Sequence, residues 1–289
     1  MRWMKYFSCT SGTERLVLEN ETRTAGPAIL PRETFNQVAE LYDKMRPSYP
    51  QAVFADVIRW SGLDADSRLL EIGCGTGHAT LAFARRGLCI DCVELGENMA
   101  AIARQNLAAF GRVTIEVADF DRWSTMNRFH LAYSACAYHW LNPATREQRI
   151  ATLLHPGGSL AVWRNHFVRN GSCEELLEAA APIYMREAPA LVAKRIHMRR
   201  PEEISEAGKE DLMASGLFEA PRTAMYLWRR TYTTSEYVGM LSTHSDHRML
   251  PELQRRRLLS SLEELVEERF GGSVSSDYAT ILHIARKKS

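Results

Sequence analysis

The sequence predicts an α/β protein: a mostly parallel sheet of seven strands with helices on both faces, an antiparallel last strand, and a helical cap. Three observations carry this. Short apolar runs alternate with helical patterns from about residue 68 to 164, the rhythm of a parallel sheet covered on both sides. The first of these runs leads into "EIGCGTGHAT" (71–80), with Gly73, Gly75 and Gly77 at alternate positions. The C-terminal "YATILHIARK" alternates as a strand does, and it follows a helical run closed by Gly271 and Gly272.

The elements follow in order. Residues 1–34 form an N-terminal arm with little periodicity, a Gly26-Pro27 turn and Pro31. "ETFNQVAELYDKM" reads as a helix with Phe35, Val38, Tyr42 and Met45 on one face, stopped by Pro47 and Pro50; 35–50 is read as a lid. The core, 51–164, places strands at 68–72, 88–94, 112–117, 129–135 and 159–164. Between them lie helices at 76–86, 97–110 and 144–154, the first ending at Gly87. From 165 to 222 the rhythm breaks into a helical cap whose clearest helix is 174–186. The last part, 223–289, returns two strands to the core, at 223–232 and at the C-terminus. Between them Thr233 and Glu236 form a capping box, and a long helix spans 252–270.

Composition narrows the function classes. In 289 residues the formal net charge is +1, which argues against the broad basic surface of a nucleic-acid binder. Arg199-Arg200 and Arg255-Arg256-Arg257 are short clusters, read as solvated helix faces or ends. No run approaches the length of a membrane span, and the N-terminus lacks the apolar core of a signal peptide. The expectation is a soluble cytoplasmic protein with no nucleic-acid or membrane partner. The six cysteines are scattered, and the odd offset of Cys89 and Cys92 on a strand sends their side chains to opposite faces. Buried reduced thiols are the reading, with no metal.

The glycine turn raises the choice between a dinucleotide and S-adenosyl-L-methionine. A dinucleotide fingerprint starting at Gly73 needs its third glycine at 78, where His78 stands. The pattern is instead E-x-G-x-G-x-G, opened by Glu71. Glu94 closes the second strand, 21 residues after Gly73, and suits a ribose in either case. After the third strand, "VADFDRW" sets Asp119 to accept from an adenine amino group and Phe120 against its ring; the plain alternative is a polar turn.

"LLEIGCGTG", "VELGENM", "VADF" and "LLHPGGSLAV" together resemble the ordered motifs of the class I S-adenosylmethionine-dependent methyltransferases, whose fold is Rossmann-like. The likeness covers about 35–164. "YDKMRPSYP", "AYHWL" and "YTTSEYVGMLSTHSDHRML" are similar to a narrower small-molecule group that resembles the trans-aconitate methyltransferases. The resemblance implies S-adenosyl-L-methionine as cofactor. Glu71 would order its methionine end, and Gly73, Gly75 and Gly77 would let the backbone approach. Thr76 would open the helix facing its carboxylate. Glu94 would hold the ribose, while Leu95 and Met99 border the adenine that Asp119 and Phe120 fix. Ser134 and Ala135 would offer backbone groups to the amine, and Tyr42 and Arg46 would close from the lid. One position departs from the family pattern: strand four carries His130 where Asp is common.

For the acceptor, "AYHWL" falls at the carboxyl end of the sheet, where open α/β sheets bind ligands. Tyr138, His139 and Trp140 are the candidates, His139 as a general base or hydrogen-bond donor or as plain packing, Trp140 as a wall. His244, with His247, reads as substrate lining rather than zinc, since no further ligand cluster accompanies the pair. The expected function is O-methylation of a carboxylate or hydroxyl on a small specialised metabolite. N- or C-methylation and a non-catalytic donor-binding module stay open as alternatives. Partners are a small-molecule acceptor and a possible second copy of the chain.

Overall fold

A computed structural model describes residues 31–196, 198–204, 209, 212 and 215–288. The expected arm therefore lies outside the described residues up to 30.

The chain enters on a 3₁₀ turn, Pro31–Val38, continued by α1 (Ala39–Met45). The sequence reading gives one helix here. The first two turns are wound more tightly, and Val38 breaks the α geometry at φ −129°. A helix that the reading lacked follows at once: α2 (Gln51–Ser61), with Val53, Phe54 and Val57 fully buried and Gly62 left-handed at its end. Its signals were present, an apolar i, i+1, i+4 stripe between Pro50 and Gly62.

The sheet then builds as β1 (Arg68–Ile72), α3 (His78–Ala84), β2 (Cys89–Glu94), α4 (Glu97–Asn106), β3 (Val113–Val117), β4 (Phe129–Ala135), α5 (Arg146–Leu153) and β5 (Leu154–Phe167). The cap holds α6 (Glu174–Glu187) and α7 (Val192–Arg195). The chain returns through β6 (Arg222–Thr233), α8 (Thr234–Ser242), α9 (Ser245–Arg248), α10 (Glu252–Phe270) and β7 (Ser273–Arg286). Strand order is β3-β2-β1-β4-β5-β7-β6, with β7 antiparallel to both neighbours and the remaining strands parallel. The capping box forms, as Thr233 Oγ1 accepts from the Glu236 amide.

Several boundaries differ from the sequence reading, among them the end of α4 at Asn106 and the start of β5 at Leu154, and two bear on the cavity. Helix α3 starts at His78, because Gly73, Gly75 and Gly77 are all left-handed and hold 73–77 as a turn. Strand β5 runs past 164 to Phe167, since the long antiparallel β7 supplies partners as far as Tyr278. Four apolar clusters result among the described residues, the smallest being Val168, Ile204, Ala279 and Ile281. One lies under α2 and α3, around Phe54, Phe83, Tyr133 and Trp163. One lies on the opposite face, around Phe120, Phe129, Ile150 and Leu160. The third ties α6, α8 and α10 to Tyr232 and Tyr278. His130 stands at the sheet's lower edge, where its Nδ1 accepts from the Arg68 amide at 3.0 Å and its ring meets His155. Among the described residues no helix is long and apolar enough to cross a membrane.

The order reverses between β1 and β4. Their carboxyl ends diverge there, and open α/β sheets bind ligands in that crevice.

Candidate functional site

The crevice is a cavity of about 640 Å³ above the carboxyl ends of β1, β2, β4 and β5, roofed by the lid and the cap. Its floor is the glycine turn. Gly73 (φ +73°) donates its amide to the Val93 carbonyl, and a Cβ there would lie 2.5 Å from that of Ala137. Only glycine meets both demands at this position.

Glu71 is 1% exposed. Its Oε2 accepts from Thr80 Oγ1 at 2.5 Å and from Tyr133 OH at 2.7 Å. Its Oε1 is buried with no partner among the described residues, and Glu71 lines the cavity. Burial raises the carboxyl's pKa to about 7, against the lowering pull of Thr80 and Tyr133. A buried carboxylate oxygen without a donor costs free energy until something charged or hydrogen-bearing reaches it. Thr76 Oγ1 is a second buried, unpartnered oxygen on the same wall.

Glu94 is the strut of the turn. Its Oε2 accepts from the Gly75 amide and its Oε1 from the Gly96 amide, each at 2.8 Å. Each oxygen keeps a second lone pair for a ligand hydroxyl. Burial raises its pKa, and these amides oppose the rise. Asp119 Oδ1 accepts from the Asp121 amide, and Oδ2 faces Arg32 at 3.4 Å. Leu95, Met99 and Phe120 line the wall between these acids.

The lid is fastened at both ends. Asn36 Oδ1 accepts from the Asn98 amide at 2.7 Å, capping α4 from outside. Arg46, expected at the cofactor, lines the cavity but commits its hydrogen bonds elsewhere: Nε donates to Thr243 Oγ1 at 2.8 Å and Nη2 to the Thr243 carbonyl at 2.9 Å. Phe35 stands edge-on to both Tyr42 (5.8 Å) and Trp140 (6.1 Å), an aromatic wall between lid and sheet.

Most of the residues singled out in the sequence come together here: Tyr42, Arg46, Glu71, Gly73, Gly75, Thr76, Glu94, Leu95, Met99, Asp119, Phe120, Ala135, His139, Trp140 and His244 all line the cavity. Three do not. Gly77 faces α4, where a Cβ would meet Leu107 at 2.9 Å, so this glycine serves helix packing. Ser134 is fully buried, its Oγ donating to the Ile72 carbonyl and its backbone paired with β5. Tyr138 turns into the core behind the sheet, its ring under the Arg146 guanidinium at 4.2 Å. In a 3₁₀ turn successive side chains diverge by about 120°, so Tyr138 points inward while its neighbours face the cavity.

His139 faces the cavity. Burial first, then Arg164, Arg146, His166 and Lys194, push its pKa down to about 3. The ring is open to the cavity, so water screens part of that push, and the imidazole is neutral near pH 7. His244 Nε2 lies 3.0 Å from Met240 Sδ. His247 is fully buried, with Nδ1 donating to Asp246 and Nε2 accepting from Tyr184 OH. Those bonds make His247 a core residue. No group of three or more His, Cys, Asp or Glu among the described residues is arranged to hold a metal.

Sequence reasoning missed the far wall: Arg164 and His166 on β5, and Lys194 and Arg199 beyond it. The rule that ligands sit at strand carboxyl ends would have found the first two. The others come from a segment with no pattern of its own.

Residues 69–158 match a family described as a methyltransferase domain. An uncharacterized methyltransferase of Mycobacterium tuberculosis is 33% identical over 150 residues, which is 50% of this chain and 58% of that protein. The chain thus spans little more than half the length of the curated relatives it matches. A structure of a candidate type II methyltransferase from Anaeromyxobacter dehalogenans aligns with TM-score 0.56 at 20% identity, over 83% of this chain and 97% of that one. Phosphoethanolamine N-methyltransferase 2 of Haemonchus contortus, in complex with phosphomonomethylethanolamine and S-adenosylhomocysteine, aligns at 0.50 and 16% identity, over 91% of this chain and 61% of that one. At such identities the likeness is one of fold. Residues 69–158 thus match a methyltransferase-domain family, within a seven-stranded sheet that shares the Rossmann-like fold of the solved methyltransferase structures.

Proposed function

We propose that the chain is an S-adenosyl-L-methionine-dependent methyltransferase acting on a small organic acceptor, with a carboxylate or hydroxyl oxygen as the favoured methyl-accepting atom. The observation that carries this reading is the buried Glu71 Oε1, without a partner among the described residues, on a residue that lines the cavity beside the glycine turn. It suits the ammonium of a methionine moiety, directly or through water.

When bound, the donor supplies a methyl on a sulfonium, and an acceptor lone pair takes it as the carbon–sulfur bond breaks to a neutral thioether. The protein's part is positioning and dryness. Glu71 would hold the amine end, Glu94 the ribose hydroxyls, and Asp119 the adenine edge once Arg32 swings aside. Phe35, Tyr42 and Trp140 wall off water and present aromatic faces, which favour a neighbouring cation. Holding two reactants in line is worth up to roughly 7–11 kcal/mol.

A carboxylate acceptor has no proton to lose. A hydroxyl does, and His139 is the nearest candidate to take it. An imidazole held far below its usual pKa is a poor base, and this supports the carboxylate. A cytoplasmic enzyme of secondary metabolism, with or without a second copy, is the setting the reading implies.

The test uses the purified chain with methyl-labelled donor and fractionated small metabolites, RNA and protein. Label entering the small-molecule fraction is expected. Label only in RNA or protein would overturn the acceptor class. S-adenosylhomocysteine that fails to bind in calorimetry would overturn the donor.

A further inference from the structure

The polar lining of the cavity is divided by charge. Its acids are Glu71, Glu94 and Asp119, at or just past the ends of β1, β2 and β3, with Glu33 in the 3₁₀ turn that enters the lid. Arg32 lies with them, 3.4 Å from Asp119, and Arg46 is held by Thr243; the other cations gather on the opposite side, at β5 and the segment around α7: Arg164, Lys194, Arg195 and Arg199. Two of these are answered. Arg195 Nη2 donates to both oxygens of Asp246 at 2.5 and 2.7 Å, and Lys194 Nζ lies 2.8 Å from the same carboxylate. That carboxylate also takes the His247 ring. Arg164 and Arg199 remain. Among the described residues neither side chain has an ion-pair or hydrogen-bond partner, although both line the cavity.

Their placement is built by the fold. Arg164 and His166 lie two apart on β5, opposite Ile281 and Ala279 of β7, and so share a face. The Arg199 carbonyl accepts from the Arg169 amide at 3.0 Å, which ties that turn to the end of β5. His166 lines the same cavity and feels both: burial, then Arg164, then Arg199, push its pKa down to about 4. With His139, it presents a neutral ring whose N–H can donate. Like charges gathered in one wall repel until an anion joins them, and the guanidinium fork matches planar and tetrahedral oxyanions.

We propose that Arg164 and Arg199 form an anion subsite at the acceptor end of the cavity, so that the molecule methylated carries an oxyanion, a carboxylate or a phosphate group. The proposal rests on reading this cavity as a donor half and an acceptor half.

Calorimetric titration of the full chain with citrate, inorganic phosphate and neutral glycerol tests it, with S-adenosylhomocysteine titrated in parallel. Citrate, phosphate or both should bind, and glycerol should not; whichever anion binds tighter identifies the group. Arg164→Gln and Arg199→Gln should each lose about tenfold in anion affinity, and the double variant all measurable binding. Arg222→Gln, on the far strand β6, should behave as wild type. S-adenosylhomocysteine affinity should hold in every variant, which also reports folding. Should a glutamine variant lose it, Arg164→Lys and Arg199→Lys take its place, with a smaller anion loss expected from the missing fork. The proposal is overturned if neither anion binds wild type, or if the double variant binds them equally well. If anion binding depends on the arginines but S-adenosylhomocysteine does not bind, the donor reading falls and the subsite stands.

Discussion

The two halves of the cavity are made differently. The half proposed for the donor rests on carboxylates locked at strand ends. Glu71 is pinned by Thr80 and Tyr133, and Glu94 by the amides of Gly75 and Gly96. The half proposed for the acceptor is assembled from β5, the α7 segment and His244 and Ser245, with two arginines unanswered among the described residues. One half leaves single buried oxygens open, Glu71 Oε1 and Thr76 Oγ1, and the other leaves two arginines without a counter-charge among the described residues.

The contrast can be broken in order of expected effect. Gly73→Ala should be most severe. A methyl 2.5 Å from the Ala137 Cβ at φ +73° forces the turn to move, at a cost on the order of 2–4 kcal/mol, and donor binding should vanish in calorimetry. Wild-type affinity in that variant would mean the turn is softer than its packing suggests.

Glu94→Ala comes next. It frees two turn amides as well as the ribose contact, so donor affinity should fall about 100-fold, consistent with roughly 1.5–3 kcal/mol per charged hydrogen bond. Anion affinity at the far wall should hold. Unchanged donor affinity would remove Glu94 from the site.

Glu71→Gln sharpens the electrostatics. The native Glu71 carboxyl has its pKa raised from 4.5 to about 7. Between those values the folded chain holds a proton that the unfolded chain has released, so this group's contribution to stability falls as pH rises through that window. A cationic donor favours the carboxylate. Donor affinity should therefore rise with pH through about 7, and binding near pH 7 should release a proton, read as a buffer-dependent heat. The glutamine variant should lose about tenfold in affinity at pH 8, and the buffer dependence should disappear. A wild type with no proton release would contradict the assignment.

His139→Ala should be mildest. Donor affinity should hold, and turnover should fall about tenfold or less, because a weakly basic neutral imidazole contributes contact more than proton transfer. A loss near 10⁴-fold in kcat would restore it as a full general base.

Local chemistry made much of this legible. The alternation of strands and helices, the capping box at Thr233 and the long helix ending at Gly271 are nearest-neighbour signals, and they survive into the structure. The missed α2 had such signals too, at Pro50 and Gly62. Gly77, Ser134 and Tyr138 show the limit. Each stands next to a residue that faces the cavity, and a rotation of one position along a turn or strand separates wall from core.

The sequence by itself determined the sheet, the glycine turn and the acids that flank it, because each is a short run whose backbone preference or periodicity is written in adjacent residues. Only the tertiary structure decided that Arg46 fastens to Thr243, that Asp246 answers Lys194 and Arg195, and that Arg164 and Arg199 meet at one wall unanswered. Those pairings join residues up to 197 positions apart, and their energies depend on burial and on which charges are left over, quantities that exist only once the chain has closed on itself.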